Sequence, residues 1–361
     1  MSTSPAGHLL LIGTFLPGPG GRAASDDLAT ELRRRGWRIT MASRLRPKAA
    51  RAWDMVRTTW QSRRTCALAI VDLYSGPASV WAMAVCAVWR GLARRPYVLI
   101  LHGGSLPRFA ARWPRIVGCL LRSAAAVTSP SRYLQQEMSR YRSDIQLIPN
   151  GIPVPPPPAV SGPVGPDLLW VRSFHAIYNP VMAVRVLAAV KARHPEARLT
   201  MLGPDKGDGS LEATRAEAER LGVTAAVTFT GPVPKADVGG WLTRHRLFIN
   251  TTNVDNTPVS VIEAMAAGLC VVSTNVGGLP YLVEHGVDGL LVDRDDAAAM
   301  AAAIDRLIAE PAAAAALSAR ALRKAATFDW SVVIPQWLQL LARLDAAPAA
   351  EAQVSGARWV R

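Results

Sequence analysis

The chain has 361 residues, half of them apolar, 19% charged, and four of them cysteine. At ~150 residues per domain this length excludes a single small module and predicts two domains of similar size, while the composition excludes a disordered chain. The formal charge of +14 sits in the first half: residues 1–150 hold 22 Lys+Arg against 7 Asp+Glu, and residues 151–361 hold 19 against 20. An anionic partner for the first half, a membrane surface or nucleic acid, would account for this, and so would compositional drift toward Arg in an Ala-rich chain.

In chain order the first half alternates strand and helix signals. His8–Gly13 is a short apolar run, Ser25–Gly36 a helix pattern closed by Gly, and Trp37–Ala42 a second run. Further units follow at Ala67–Leu73, Ser79–Leu92, Pro96–Leu101, Ala125–Thr128 and Ser131–Tyr141. Repeated β-α-β alternation predicts a parallel, doubly wound sheet. The most apolar stretch, Ser75–Trp89, falls short of the ~20 residues that span a bilayer, so no transmembrane helix is expected. The start, MSTSPAGHLLLIG, lacks the basic and long apolar regions of a secretory signal. Cys66, Cys86, Cys119 and Cys270 form no C-x-x-C pair or zinc-ligand spacing and are expected to be reduced, mostly core residues of a cytoplasmic protein.

From residue 151 to 166 the chain is rich in proline, which predicts a linker. The alternation then restarts with Leu168–Val171, Pro180–His194, Arg198–Leu202, Leu211–Leu221, Val227–Thr230, Ala236–Thr243 and Leu247–Asn250. A helix at Thr257–Ala267, a buried strand at Leu269–Ser273, a strand at Gly289–Val292 and an Ala-rich helix at Asp295–Ile308 complete it. The expected division is therefore 1–150, a linker at 151–166, and 167–328. A helix near 329–344 follows, and then a frayed or disordered tail at 345–361.

The most informative segment is NTTNVDNTPVSVIEAMAAGLCVVSTNVGGLPYLVEHGVDGLLV, residues 250–292. Thr257 suits an N-cap and Pro258 the first helical position, so the amides from Val259 onward point toward the preceding loop, a geometry that binds phosphate. Glu263 lies five residues past that proline among apolar neighbours. Helical side chains lean toward the N-terminus, which aims its carboxylate at the same mouth, where it suits the vicinal hydroxyls of a ribose. Asp255, eight residues earlier, is expected to face the same cavity.

This acid pair, the EAMAAG run, the following strand and the Gly-Gly turn resemble the signature of family 4 retaining glycosyltransferases of the GT-B fold. The resemblance extends from residue 8 to about 342 and implies two Rossmann-like domains facing a cleft. The first would bind acceptor, the second the nucleotide sugar, and the C-terminal helix with Trp330 and Trp337 would pack back on the first. Here Asp255 stands where Glu is usual. By the same resemblance Arg172 supplies a diphosphate-binding guanidinium, a fork suited to phosphate oxygens. His102, ahead of Gly103-Gly104, is similar to an active-site His beside the transferred sugar. Gly20 and Gly21 resemble a glycine loop that approaches the donor phosphates. Family members place a Lys about five residues beyond the Arg; the stretch Ile177-Tyr178-Asn179-Pro180 has none, which leaves Tyr178, Asn179 or Lys206 to compensate, or a donor held differently.

The resemblance implies a hexosyltransferase-type, metal-independent enzyme without cofactor. It would move sugar from a nucleoside-diphosphate sugar, with retention by a front-face path, to a glycan or lipid-linked acceptor in polysaccharide or lipopolysaccharide assembly. The basic stretches Arg33–Arg46 and Arg51–Arg64, interleaved with Trp37, Trp53 and Trp60, fit either anionic lipid at the inner membrane face or a solvated helix surface over core Trp. Two rivals are weaker. Gly18-x-Gly20-x-x-Ala23 matches the dinucleotide fingerprint of an NADP oxidoreductase, but it lies five residues beyond the first strand. A membrane or nucleic-acid adaptor that kept the fold is the other; no nucleic-acid motif accompanies the charge, and no nucleic-acid partner is expected. Asp293-Arg294-Asp295 has D-x-D spacing but opens a helix, where Asp serves as a cap, so no metal is expected.

Overall fold

The computed structural model describes residues 7–15, 24–154 and 164–345. Among them the chain forms two compact units, one ending at Gly151 and completed by Trp330 onward, the other running from Ile152 to Asp329. Gly20, Gly21, the dinucleotide-like string, most of the proline-rich stretch and the tail beyond residue 345 lie outside the described residues.

The first unit is built on six strands: β1 (His8–Ile12), β2 (Arg38–Ala42), β3 (Leu68–Leu73), β4 (Tyr97–Leu101), β5 (Ala126–Ser129) and β6 (Gln146–Leu147). They lie in the order β2-β1-β3-β4-β5-β6, and every pairing is parallel. Strands buried on both faces read as unbroken apolar runs, and alternate residues go to opposite faces. Leu10, Ala69, Val71 and Leu99 enter one core layer, while Leu9, Leu68, Ile70 and Val98 enter the other.

The second layer also receives the helix Trp330–Asp345 through Trp330, Val333, Ile334, Trp337, Leu340 and Leu341, a stripe at three- and four-residue spacing. Burial of such side chains contributes about 1.5–3 kcal/mol each, which outweighs the roughly 3 kcal/mol cost of Pro335 inside the helix. Gly151 lies against Trp330: a Cβ there would sit 2.5 Å from the indole.

The second unit contains β7 (Asp167–Val171), β8 (Arg198–Leu202), β9 (Val227–Gly231), β10 (Leu247–Asn250), β11 (Cys270–Thr274) and β12 (Leu290–Val292). Their order is β12-β11-β10-β7-β8-β9, again all parallel. Counted from β7 this is the 3-2-1-4-5-6 order of a Rossmann fold.

The expected elements are present, with ends displaced by at most three residues. The apolar stretch near Ser79 is a helix over Pro77–Ala87 that widens into a π-turn at Val88–Leu92, where buried Trp89 donates its indole N–H to Pro96 O at 2.8 Å. Five α-helices among the described residues were not anticipated: Lys48–Ser62, Leu106–Arg112, Pro114–Ser123, Leu279–Leu282 and Pro311–Ala325.

Candidate functional site

In the second sheet the chain leaves β7 toward β8 and later returns to β7's other side as β10. Loops after these two strands therefore diverge, and a crevice opens outside their carboxyl ends. Arg172 follows β7, and the loop leading to the helix Val259–Ala266 follows β10. Thr251 ties the two together, accepting from the Trp170 indole at 3.0 Å and donating to Tyr178 O at 2.9 Å. The Asn253 amide donates to Ile177 O at 2.7 Å.

Arg172 is mostly buried. Its guanidinium contacts the Asp255 carboxylate and lies 4.3 Å above the Tyr178 ring. Burial pulls its pKa below the ordinary value, opposed by Tyr178; guanidinium remains charged regardless. Close approach of β8 requires glycine at position 203, where φ is +150° and a Cβ would sit 1.8 Å from Arg172 O. Asp255 is fixed at both ends. Its Oδ1 accepts from the Asn256 amide at 2.8 Å, and its carbonyl accepts from Gly278 N at 3.1 Å. The Gly-Gly turn permits this: a Cβ at Gly277 would meet Asp255 O at 2.1 Å, and one at Gly278 would meet Asn256 O at 1.7 Å.

A pocket of about 210 Å³ lies here, lined by Arg172, Tyr178, Lys235, Val259, Ser260 and Glu263, with Val171, Val233 and Val238 as apolar wall. Its polar atoms are not all satisfied from within. Arg172 Nε and Ser260 Oγ are buried without a hydrogen-bond partner among the described residues, a condition native interiors seldom tolerate. The first intrahelical bond runs from Val261 N to Pro258 O, so the amides of Val259 and Ser260 precede the ladder. Chemically the pocket offers an anion site at one end, a carboxylate for hydroxyls and an apolar wall.

Arg172, Val259 and Glu263 thus line one pocket in the second unit, whereas Asp255 and Pro258 are not among its lining residues: Asp255 contacts Arg172, and Pro258 precedes Val259. Thr257 is not the N-cap: Pro258 holds that position with φ −67° and ψ 116°, and the helix begins at Val259. The proline's fixed φ suits the cap, and its missing N–H leaves nothing unpaired there. Asp295 is not a cap either; it has φ +62°, and Asp296 caps the following helix by accepting from Ala299 N at 2.8 Å. Of the candidates for a compensating group, Tyr178 lines the pocket, while Asn179 caps the helix Pro180–Lys191. Sequence reasoning missed Lys235, whose signal was its place as the lone cation between β9 and Trp241.

His102 belongs to the first unit. It follows β4, is 7% exposed, and places Nε2 3.0 Å from Asp72 Oδ1 with its ring stacked on Tyr74 at 4.7 Å. Cys66, Cys86 and Cys270 are buried and Cys119 is exposed. Trp53 and Trp60 are not core residues: they are 70% and 47% exposed on the helix Lys48–Ser62, with Arg63 stacked 3.8 Å from the Trp60 ring. Trp37 packs against the core. No helix among the described residues is long and apolar enough to cross a membrane.

The second unit thus combines a Rossmann-order sheet with a pocket at its switch point that carries Arg172 and Lys235. Comparison with known proteins narrows this. Residues 20–154 match the model described as Glycosyltransferase Family 4, and residues 165–310 match that of Glycosyl transferases group 1. Both matched models describe glycosyltransferases. A D-inositol 3-phosphate glycosyltransferase of Thermobispora bispora is 32% identical over 170 residues, 45% of this chain and 40% of the relative. One from Corynebacterium jeikeium is 30% identical over 165 residues, 45% of this chain and 39% of the relative. The chain thus matches less than half the length of these relatives. Among solved structures, Anabaena HepE in complex with UDP-glucose superposes with a TM-score of 0.76 at 19% identity, over 93% of this chain and 99% of that one. Sucrose-phosphate synthase from Thermosynechococcus elongatus does so with 0.76 at 19%, over 95% and 100%. These likenesses show the GT-B fold, with two Rossmann-like domains.

Proposed function

We propose that the protein is a retaining glycosyltransferase that moves a sugar from a nucleoside-diphosphate sugar to an acceptor hydroxyl, with the donor seated in the second unit's pocket. The observation that carries this reading is the buried Arg172 guanidinium, whose Nε has no partner among the described residues and which shares a pocket with Ser260 and Glu263. Arg172 and the amides of Val259 and Ser260 stabilise the charge that develops on the departing diphosphate. Lys235 and Tyr178 line the same pocket and fill the place of the absent second cation. Glu263 accepts from ribose hydroxyls. Asp255 balances Arg172 and turns to the sugar hydroxyls when phosphate takes the guanidinium. His102 is assigned to the sugar, and Gly20-Gly21 to the donor phosphates, by resemblance alone.

Since the leaving group's charge is met by the protein, departure needs no metal, and the departing phosphate helps deprotonate the acceptor hydroxyl. The acceptor is a glycan or lipid-linked hydroxyl in surface-polysaccharide assembly. The basic helix Lys48–Ser62, with two exposed indoles among Arg and Lys, supports peripheral attachment to anionic lipid. The fold neighbour bound to UDP-glucose supports the donor class.

Calorimetry against UDP-, GDP- and ADP-sugars in EDTA tests the reading. Heat is expected from at least one, abolished by Arg172→Ala. Silence from all three, or dependence on added metal, would overturn it.

A further inference from the structure

The first sheet has its own switch point, between β1 and β3, because the chain passes from β1 to β2 on one side and then to β3 on the other. Asp72 lies at the carboxyl end of β3, paired in register with Ile100, two residues before His102. It is 6% exposed in a strand whose other residues are apolar. A buried carboxylate contributes little net stability even when paired, so its presence calls for another reason. Its Oδ1 receives the Ser25 hydroxyl at 2.6 Å and His102 Nε2 at 3.0 Å. Its Oδ2 is buried without a partner among the described residues and faces Gly13, where a Cβ would come within 2.4 Å. Gly13 thus leaves room for the carboxylate, and stability alone would not leave one of its oxygens unmatched.

We propose that Asp72 is a positioning residue that fixes the His102 proton on Nε2, so that the ring presents Nδ1 as a hydrogen-bond acceptor. An ionised carboxylate only accepts, and a neutral imidazole carries one N–H. With Ser25 already donating to Oδ1, the bond at 3.0 Å requires the proton on Nε2. Stacking on Tyr74 at an interplanar angle of 15° fixes the ring plane, and Nδ1 makes no hydrogen bond to the described residues. A ring held this way takes the proton of a sugar hydroxyl into a hydrogen bond. It does not donate to one. This deepens the assignment of His102 to the sugar and rests on that reading for its purpose, although the tautomer itself does not.

Long-range ¹H–¹⁵N correlation spectra of the full chain with ¹⁵N-histidine, recorded where the imidazoles are neutral, test it. His102 is assigned by loss of its signals in His102→Gln. The wild-type ring is expected to be the Nε2–H tautomer, and Asp72→Asn is expected to lower that fraction from nearly all to about half, because an amide can offer an N–H in place of an acceptor. Ser25→Ala should leave the tautomer unchanged. A wild-type Nδ1–H ring, or a tautomer that Asp72→Asn does not move, overturns the proposal; if Asp72→Asn fails to fold, the wild-type spectrum alone decides. No donor or acceptor enters the measurement, so its failure is separable from failure of the glycosyltransferase reading.

Discussion

Gly278→Ala tests the geometry that holds Asp255 against Arg172. The new Cβ would lie 1.7 Å from Asn256 O, whereas a carbon–oxygen contact settles near ~3.3 Å. The loop carrying Asp255 must therefore retreat by roughly 1.6 Å, because both colliding atoms belong to backbone or sit directly on it. That retreat breaks the 3.1 Å bond from Gly278 N to Asp255 O, a loss of about 0.5–1.5 kcal/mol. Overpacking brings the total to about 1–3 kcal/mol. Each kcal/mol lowers the melting temperature of a unit this size by roughly 2–4 °C, so the variant stays folded. Displacement of a binding group by more than an ångström costs on the order of 10²-fold in turnover. Release of nucleoside diphosphate from the donor that gives heat in calorimetry, measured beside a thermal melt, reads both effects. Gly239→Ala is the control: it lies in the helix Lys235–Leu242, where a Cβ meets nothing within 4 Å, and should leave turnover unchanged. Gly278→Ala turnover within about twofold of wild type would refute the claim that this turn positions the acid.

Three further outcomes are expected. Glu263→Gln keeps the fold, since the side chain is only partly buried, and weakens nucleotide binding by about 1.5–3 kcal/mol, tenfold or more by calorimetry. Trp53→Ala with Trp60→Ala cuts sedimentation with phosphatidylglycerol vesicles by roughly tenfold per indole while leaving the melting temperature unchanged, because both rings are exposed. Burial raises the Cys66, Cys86 and Cys270 thiols, the last to about 11, so they stay protonated at pH 8. Ellman's reagent should then count one thiol in the native protein, Cys119, and four after denaturation.

Periodicity determined much of this protein by itself. Strands buried on both faces are short apolar runs bounded by polar residues, so Leu247–Asn250 was legible to the residue. The local run from Asp255 to Glu263 was legible too, because helix geometry alone sends that carboxylate back toward the helix start. The helix Lys48–Ser62 was not, since its buried stripe is Ala52, Met55, Thr59 and Ser62 while Trp53 and Trp60 share the exposed face, the reverse of the usual apolar pattern. Only the tertiary structure brought Lys235 into the pocket, Asp255 onto Arg172, and Asp72 beneath His102. Each of these meetings depends on which strands lie side by side: β3 beside β4 sets Asp72 opposite Ile100, and β7 between β8 and β10 opens the crevice. Strand order is settled by how helices cover both faces of a whole sheet, a property that no local stretch of sequence contains.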